Sequence, residues 1–306
     1  MKKIVSIILC ICLVLALAGC GDTKTENEKL TIIASVFPAY DFAREIVGDL
    51  GDVSLLLPPG AESHSFEPTP KDIIAIQNCD LFIYTGGESD SWIEDILSSM
   101  ENPPAIFRMI DAVEVIHSVH DHEEVSFSSH IEFDEHVWTS PVNAMEIVNA
   151  LSVTITTLDS ENSRAYRKNT SEYLGKLEEL HDSFIEVTEK AENKTIIMGD
   201  RFPFRYLAHE YNLEYMAAFP GCSADSEPGA KTVSQLIEKI KTDNIPVVFH
   251  IEFSNKKTAE ALSEATGAEI RLLHSCHNVT DQQLKENVSY IDLMYENLNN
   301  LQEALL

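Results

Sequence analysis

Apolar positions recur along this chain with two periods, and the change from one to the other predicts the elements. "LTIIASV", "DVSLLL" and "DLFIYTG" are short runs dense in Ile, Val, Leu and Phe, and they read as strands. "PAYDFAREIV", "PKDIIAIQN" and "SWIEDILSSM" carry apolar residues three and four apart and read as helices, the first with Pro38 at its start. After an acidic, His-bearing loop from about Glu114 to Glu135, "PVNAMEIVNALSVTITTL" reads as a further helix. The second half repeats the scheme. Strands are expected at "KTIIMG", "LEYMAAF", "PVVFHIEF" and "EIRLLH", and helices at "PFRYLAHEY", "KTVSQLIEKIK" and "KKTAEALSEATG". A closing helix is expected from Asp281 to about Ala304.

Between the halves lies a different pattern. From about Asn162 to Glu192 the apolar positions Tyr166, Tyr173, Leu177, Leu180, Phe184 and Val187 keep helical spacing, with no proline. A helix that long between two strand–helix blocks is expected to connect them. Strands alternating with helices pair in parallel and are covered on both faces. The predicted fold is therefore α/β, with two parallel-sheet lobes, residues 30–160 and 193–306, joined by a single long helix at 161–192. Such lobes place ligands at the carboxyl ends of their strands, which puts the site in the cleft between them.

The N-terminus changes where this fold is expected to work. Lys2 and Lys3 precede an apolar run from Ile4 to Leu17 that is short for a bilayer span, and "LALAGC" sets small residues before Cys20. Residues 1–19 read as a lipoprotein signal peptide, Cys20 as the lipid-attachment residue, and 20–29 as a polar tether. The mature protein is expected outside the cytoplasm, lipid-anchored at the cell membrane. Asp and Glu outnumber Lys and Arg 50 to 22, a formal net charge of -28, which excludes nucleic acid as a partner. Of six cysteines, Cys10 and Cys12 leave with the signal and Cys79 reads as a small core residue. Outside the cytoplasm, Cys222 and Cys276 are then expected to form a disulfide, with a thiolate pair on a metal as the alternative.

Polar residues just past the strand ends carry the candidate chemistry. His64, His136, Asp200, Glu252, His274 and His277 fall at such positions in both lobes. Neutral imidazole and carboxylate are ligands for divalent first-row ions. The loop cluster His117, His120, His122 and His130 is either a weak collector of metal or a solvated loop.

"GAESHSFEPTPKDI", "DEHVWTSP" and the long central helix together resemble the metal-binding lipoproteins of zinc/manganese ABC importers, over about Leu30 to Leu301. The resemblance implies that His64 and His136 are metal ligands of the first lobe. Glu67, Pro68 and Pro70 would then hold the His64 loop in place before metal arrives. In the second lobe the sequence departs from the family pattern. Where a His or Glu ligand usually stands five residues before a tyrosine, this chain has Arg201, with Asp200 one residue earlier. His277 lies nearest the usual final aspartate, and His274 is the close alternative. On this reading Cys222 and Cys276 would brace the metal-side loops. With His277 or His274 in the set, zinc is expected over manganese. The implied function is capture of a divalent metal and its delivery to the membrane permease of an ABC importer, with adhesion as a second use of the same fold. The contrasting expectation, an exported metallo-hydrolase, finds no H-E-x-x-H, G-x-S-x-G or phosphate-loop motif to support it.

Overall fold

Strands β1 (Leu30–Ala34), β2 (Gly51–Leu55), β3 (Leu81–Tyr84) and β4 (Ala105–Arg108) form one sheet, in the spatial order β2-β1-β3-β4. Strands β5 (Thr195–Met198), β6 (Glu214–Ala217), β7 (Val247–His250) and β8 (Glu269–Leu272) form a second, ordered β6-β5-β7-β8. The computed structural model describes residues 29–62, 66–116, 133–219 and 228–306. The readings placed on the signal, Cys20, the tether, His64, Cys222 and the loop histidines lie outside these residues. Pairs β1–β3, β3–β4, β5–β6, β5–β7 and β7–β8 are parallel, with Ile33 opposite Phe82 and Ile197 opposite Met216. Strands β3, β5 and β7 are buried along their whole length, which matches their sequences, apolar but for Thr195 and His250 at two ends, and requires cover on both sheet faces.

Helices α1 (Phe37–Val47), α2 (Pro70–Asn78) and α3 (Ser91–Ser99) pack on the first sheet, and α7 (Ala230–Thr242) and α8 (Lys257–Thr266) on the second, while α4 (Pro141–Leu158) packs on α1, and α6 (Arg205–Glu210) lies against the turn at Val137–Thr139. The long helix α5 runs from Ser163 to Lys190 and buries every apolar position its sequence predicted. It packs along α4 and α1, and along the last helix, α10 (Tyr290–Leu305). Two elements differ from expectation. Strand β4, "AIFR", went unread because only Phe107 of its four residues is buried, so neither alternation nor a solid apolar run marks it. The expected closing helix is two helices, α9 (Asp281–Lys285) and α10, broken where Asn287 takes a left-handed φ of 55°. Each opens on its own capping box, Thr280 with Gln283 and Ser289 with Asp292.

A buried carboxylate ties α1 to α5 and to the start of α10. Asp41, fully buried, pairs with Arg44 at 2.5 Å and accepts the Tyr173 hydroxyl at 3.2 Å and the Tyr290 amide at 2.8 Å. Desolvation pushes its carboxyl up from 3.8 to about 6, although Arg44 pulls the other way. A raised folded pKa means stability that is full below the ordinary value and is lost as pH rises through about 6, here roughly 3 kcal/mol. In metal-free protein, urea unfolding should therefore show wild type gaining on Asp41→Asn as pH falls from 7 towards 4. A difference that shrinks towards acid would mean that Arg44 holds the carboxylate ionised.

Candidate metal centre

In both sheets the order reverses between the central strands, β1 and β3 in one, β5 and β7 in the other. Loops leaving a sheet at such a switch point diverge and open a crevice. One small cavity lies beside Ser35 and Val36 after β1 and Thr85 after β3, with Glu135, Trp138 and His277 on its walls. A second is lined by Arg201 and Pro203 after β5, by Glu252 and Phe253 after β7, and by Ser275 and His277. His277 lines both cavities and so stands where the two crevices meet.

His136 approaches this point from the first lobe, at the entry to a tight turn, Val137–Thr139. Asp134, two residues earlier, accepts both the His136 amide at 2.9 Å and its Nδ1–H at 2.7 Å. A carboxylate on Nδ1 fixes the tautomer and turns Nε2 to the ligating role, the arrangement found behind metal-binding histidines. The ring is 2% exposed, so this orientation is held by packing as well. The His277 ring stands 4.6 Å from it, centroid to centroid, at 87°. Trp138 backs both imidazoles, 5.0 Å from His277 and 5.8 Å from His136, and its Nε1–H donates to the Ser275 carbonyl at 2.8 Å.

The segment after β8 explains how a residue encoded beyond the last strand reaches the first lobe. Asn297 clasps His274 on both backbone groups, accepting its amide at 2.6 Å and donating to its carbonyl at 2.8 Å. Cys276 then adopts a left-handed φ of 64° and its amide donates to His274 Nδ1 at 3.0 Å. That reversal separates the two histidines. His274 is buried at 2% exposure within the turn, while His277 faces the crevices. The Phe37 amide donates to the His277 carbonyl at 3.0 Å, and Asn278 donates to the carbonyls of Pro58 and Ala61 at 2.7 and 3.0 Å. Cys276 is a free, fully buried thiol whose pKa burial drives well up, and Cys222, its expected disulfide partner, lies outside the described residues.

Asp200 follows β5. Its Oδ1 accepts the Arg201 amide at 2.9 Å, whereas Oδ2 is buried without a hydrogen-bond partner among the described residues. A buried carboxylate oxygen with no donor is costly unless a cation reaches it. Arg201 itself turns away, to Glu62 Oε1 at 3.2 Å, a pair partly open to solvent and worth little in stability. The structure thus brings His136 and His277 together and does not gather Asp200 with them. Among the described residues no group of three His, Cys, Asp or Glu side chains converges closely enough to hold a metal.

Residues 32–304 match the family described as ZnuA, zinc-uptake complex component A, periplasmic. The chain belongs to this family. It is 34% identical over 304 residues to the high-affinity zinc uptake system protein ZnuA of Bacillus subtilis (strain 168), covering 95% of this chain and 94% of that one. It is 29% identical over 311 residues to the zinc-binding lipoprotein AdcA of Streptococcus pneumoniae R6, and it spans 61% of that longer protein. The Zn(II)-bound ZnuA-like domain of S. pneumoniae AdcA superposes with a TM-score of 0.77 at 27% identity, covering 91% of this chain and 99% of that one. The two-lobed parallel α/β fold is the fold of this family, a solute-binding component of transport. Sequence reasoning missed three residues that shape the centre. Asp134 was legible as the i−2 carboxylate of His136. Trp138 and Ser275 gave no local signal, because their roles arise between segments distant in sequence.

Proposed function

We propose that this protein captures one zinc ion through His64, His136 and His277, that Asp200 completes the sphere as the lobes close, and that the loaded protein delivers zinc to the membrane permease of an ABC importer. The observation that carries this is the His136–His277 pair, two imidazoles from different lobes held 4.6 Å apart, each with Nδ1 occupied by a hydrogen bond from within the protein. Asp200 joins the proposal on its unpartnered buried oxygen. His274 is left out because its Nδ1 accepts the Cys276 amide, which puts the ring proton on Nε2 and leaves that nitrogen no lone pair for a metal. Three imidazoles and one carboxylate form a closed tetrahedral set that suits zinc better than manganese. The zinc named for the B. subtilis and S. pneumoniae relatives points the same way. The zinc here is cargo. Protein purified without added metal should carry zinc by elemental analysis and keep it against excess manganese, whereas preferential retention of manganese would overturn the choice of ion.

The same proposal divides the chain into lobes at 30–160 and 193–306 joined by residues 161–192, and anchors it through lipid on Cys20. No helix among the described residues is long and apolar enough to cross a membrane. Because the lipid on Cys20 is the proposed hold, Cys20→Ala should release the protein from the membrane fraction, and a variant that stays bound in high salt would sink the anchor.

A further inference from the structure

Glu252 and Ser275 form a relay behind His277, and with Glu252 as a carboxylate their hydrogen bonds admit one arrangement of protons. Glu252 Oε2 accepts the Ser275 amide at 2.7 Å, and Oε1 accepts the Ser275 hydroxyl. The hydroxyl has one hydrogen, and the carboxylate takes it. Ser275 Oγ is left with two lone pairs, which face His277 Nδ1 at 2.7 Å and the His277 amide at 3.4 Å. Since that oxygen can only accept from the ring, Nδ1 must carry the proton. The opposite tautomer would set the hydroxyl hydrogen on Nδ1 and leave Oγ and the carboxylate oxygen as two acceptors in contact.

We infer that Glu252, acting through Ser275, is a positioning residue that holds His277 in the tautomer and orientation needed to bind zinc through Nε2. This rests on the reading of His277 as a ligand. Both relay members are nearly closed to water, with the Glu252 side chain 8% exposed and Ser275 1% exposed. Solvent is therefore poorly placed to take over the role. The relay also divides labour between the lobes. In the first, Asp134 touches the His136 ring directly, whereas in the second a hydroxyl stands between carboxylate and ring and fixes the backbone amide of His277 as well.

The test measures zinc affinity by competition with a chromophoric chelator in wild type, Ser275→Ala, Glu252→Gln and His277→Ala, with the tautomer of the His277 ring read by 15N NMR in the metal-free proteins. Glu252→Gln sets an amide group against two Ser275 donors that need two acceptors, so it breaks the relay while keeping shape. Ser275→Ala takes a hydrogen bond from the Glu252 carboxylate and from the His277 ring, so its melting temperature should fall, and affinity is read well below that temperature. Both relay variants should lose about 10- to 100-fold in affinity. Their His277 ring should also shift from the Nδ1-protonated form towards a mixture, which a merely structural role would not produce. Affinity within twofold of wild type in both, with the tautomer unchanged and His277→Ala strongly impaired, overturns the relay alone. Wild-type affinity in His277→Ala overturns the ligand assignment and the relay with it.

Discussion

Zinc at about a thousandfold excess over its Kd is expected to add roughly 4 kcal/mol to the unfolding free energy of the wild-type protein, and far less to an Asp200→Ala, His277→Ala double variant. An ion that binds only the folded form stabilises it by mass action, and these two residues are the proposed second-lobe ligands. The metal-free baseline adds a separate signature. Asp200 Oδ2 is buried with no hydrogen-bond partner among the described residues, so Asp200→Asn should leave metal-free stability unchanged or higher while zinc stabilisation falls. His277→Ala should lower both, because His277 also packs against Trp138 and donates to Ser275. Differential scanning calorimetry with and without zinc reads all four quantities. Equal zinc stabilisation of wild type and double variant would place the second-lobe ligands elsewhere.

The second large effect concerns the first lobe. His136→Ala and His64→Ala are each expected to weaken zinc binding at least tenfold, about 1.4 kcal/mol or more. In His136→Ala the Asp134 carboxylate, 8% exposed, also loses a hydrogen bond, so metal-free stability should fall by about 1 to 3 kcal/mol. His274→Ala is the informative comparison. Its ring accepts the Cys276 amide within a buried turn, so the variant should lose stability and, beyond that, bind zinc far better than His136→Ala. Zinc affinity equally reduced in His274→Ala and His136→Ala would bring His274 into the coordination sphere.

Particular elements show where the sequence was legible. The solid apolar runs of β3, β5 and β7 and the helical spacing from Tyr166 to Val187 fixed their elements, because each pattern matches burial on both faces of a sheet or along one face of a helix. The break between α9 and α10 was written in two capping boxes but was masked by apolar residues that continue in near-helical phase. Strand β4 owes its existence to pairing with β3, a long-range contact that four residues with only Phe107 buried do not announce.

By itself, then, the sequence determined two parallel α/β blocks, a connecting helix, and which imidazoles and carboxylates fall past strand ends. These follow from local periodicity and from the direction in which parallel strands leave a sheet. Only the tertiary structure set His274 and His277 apart, burying the first in a turn and facing the second to the crevices, since that difference turns on one left-handed residue, Cys276, and on Asn297 clasping the first of the pair. It alone also showed Cys276 as a buried free thiol, Asp200 with an unpartnered oxygen, and Glu252 bonded to Ser275 across 23 positions of sequence. Tautomer and orientation depend on which donors meet which acceptors in space, and residues that far apart meet only once both strands and the loops between them have packed.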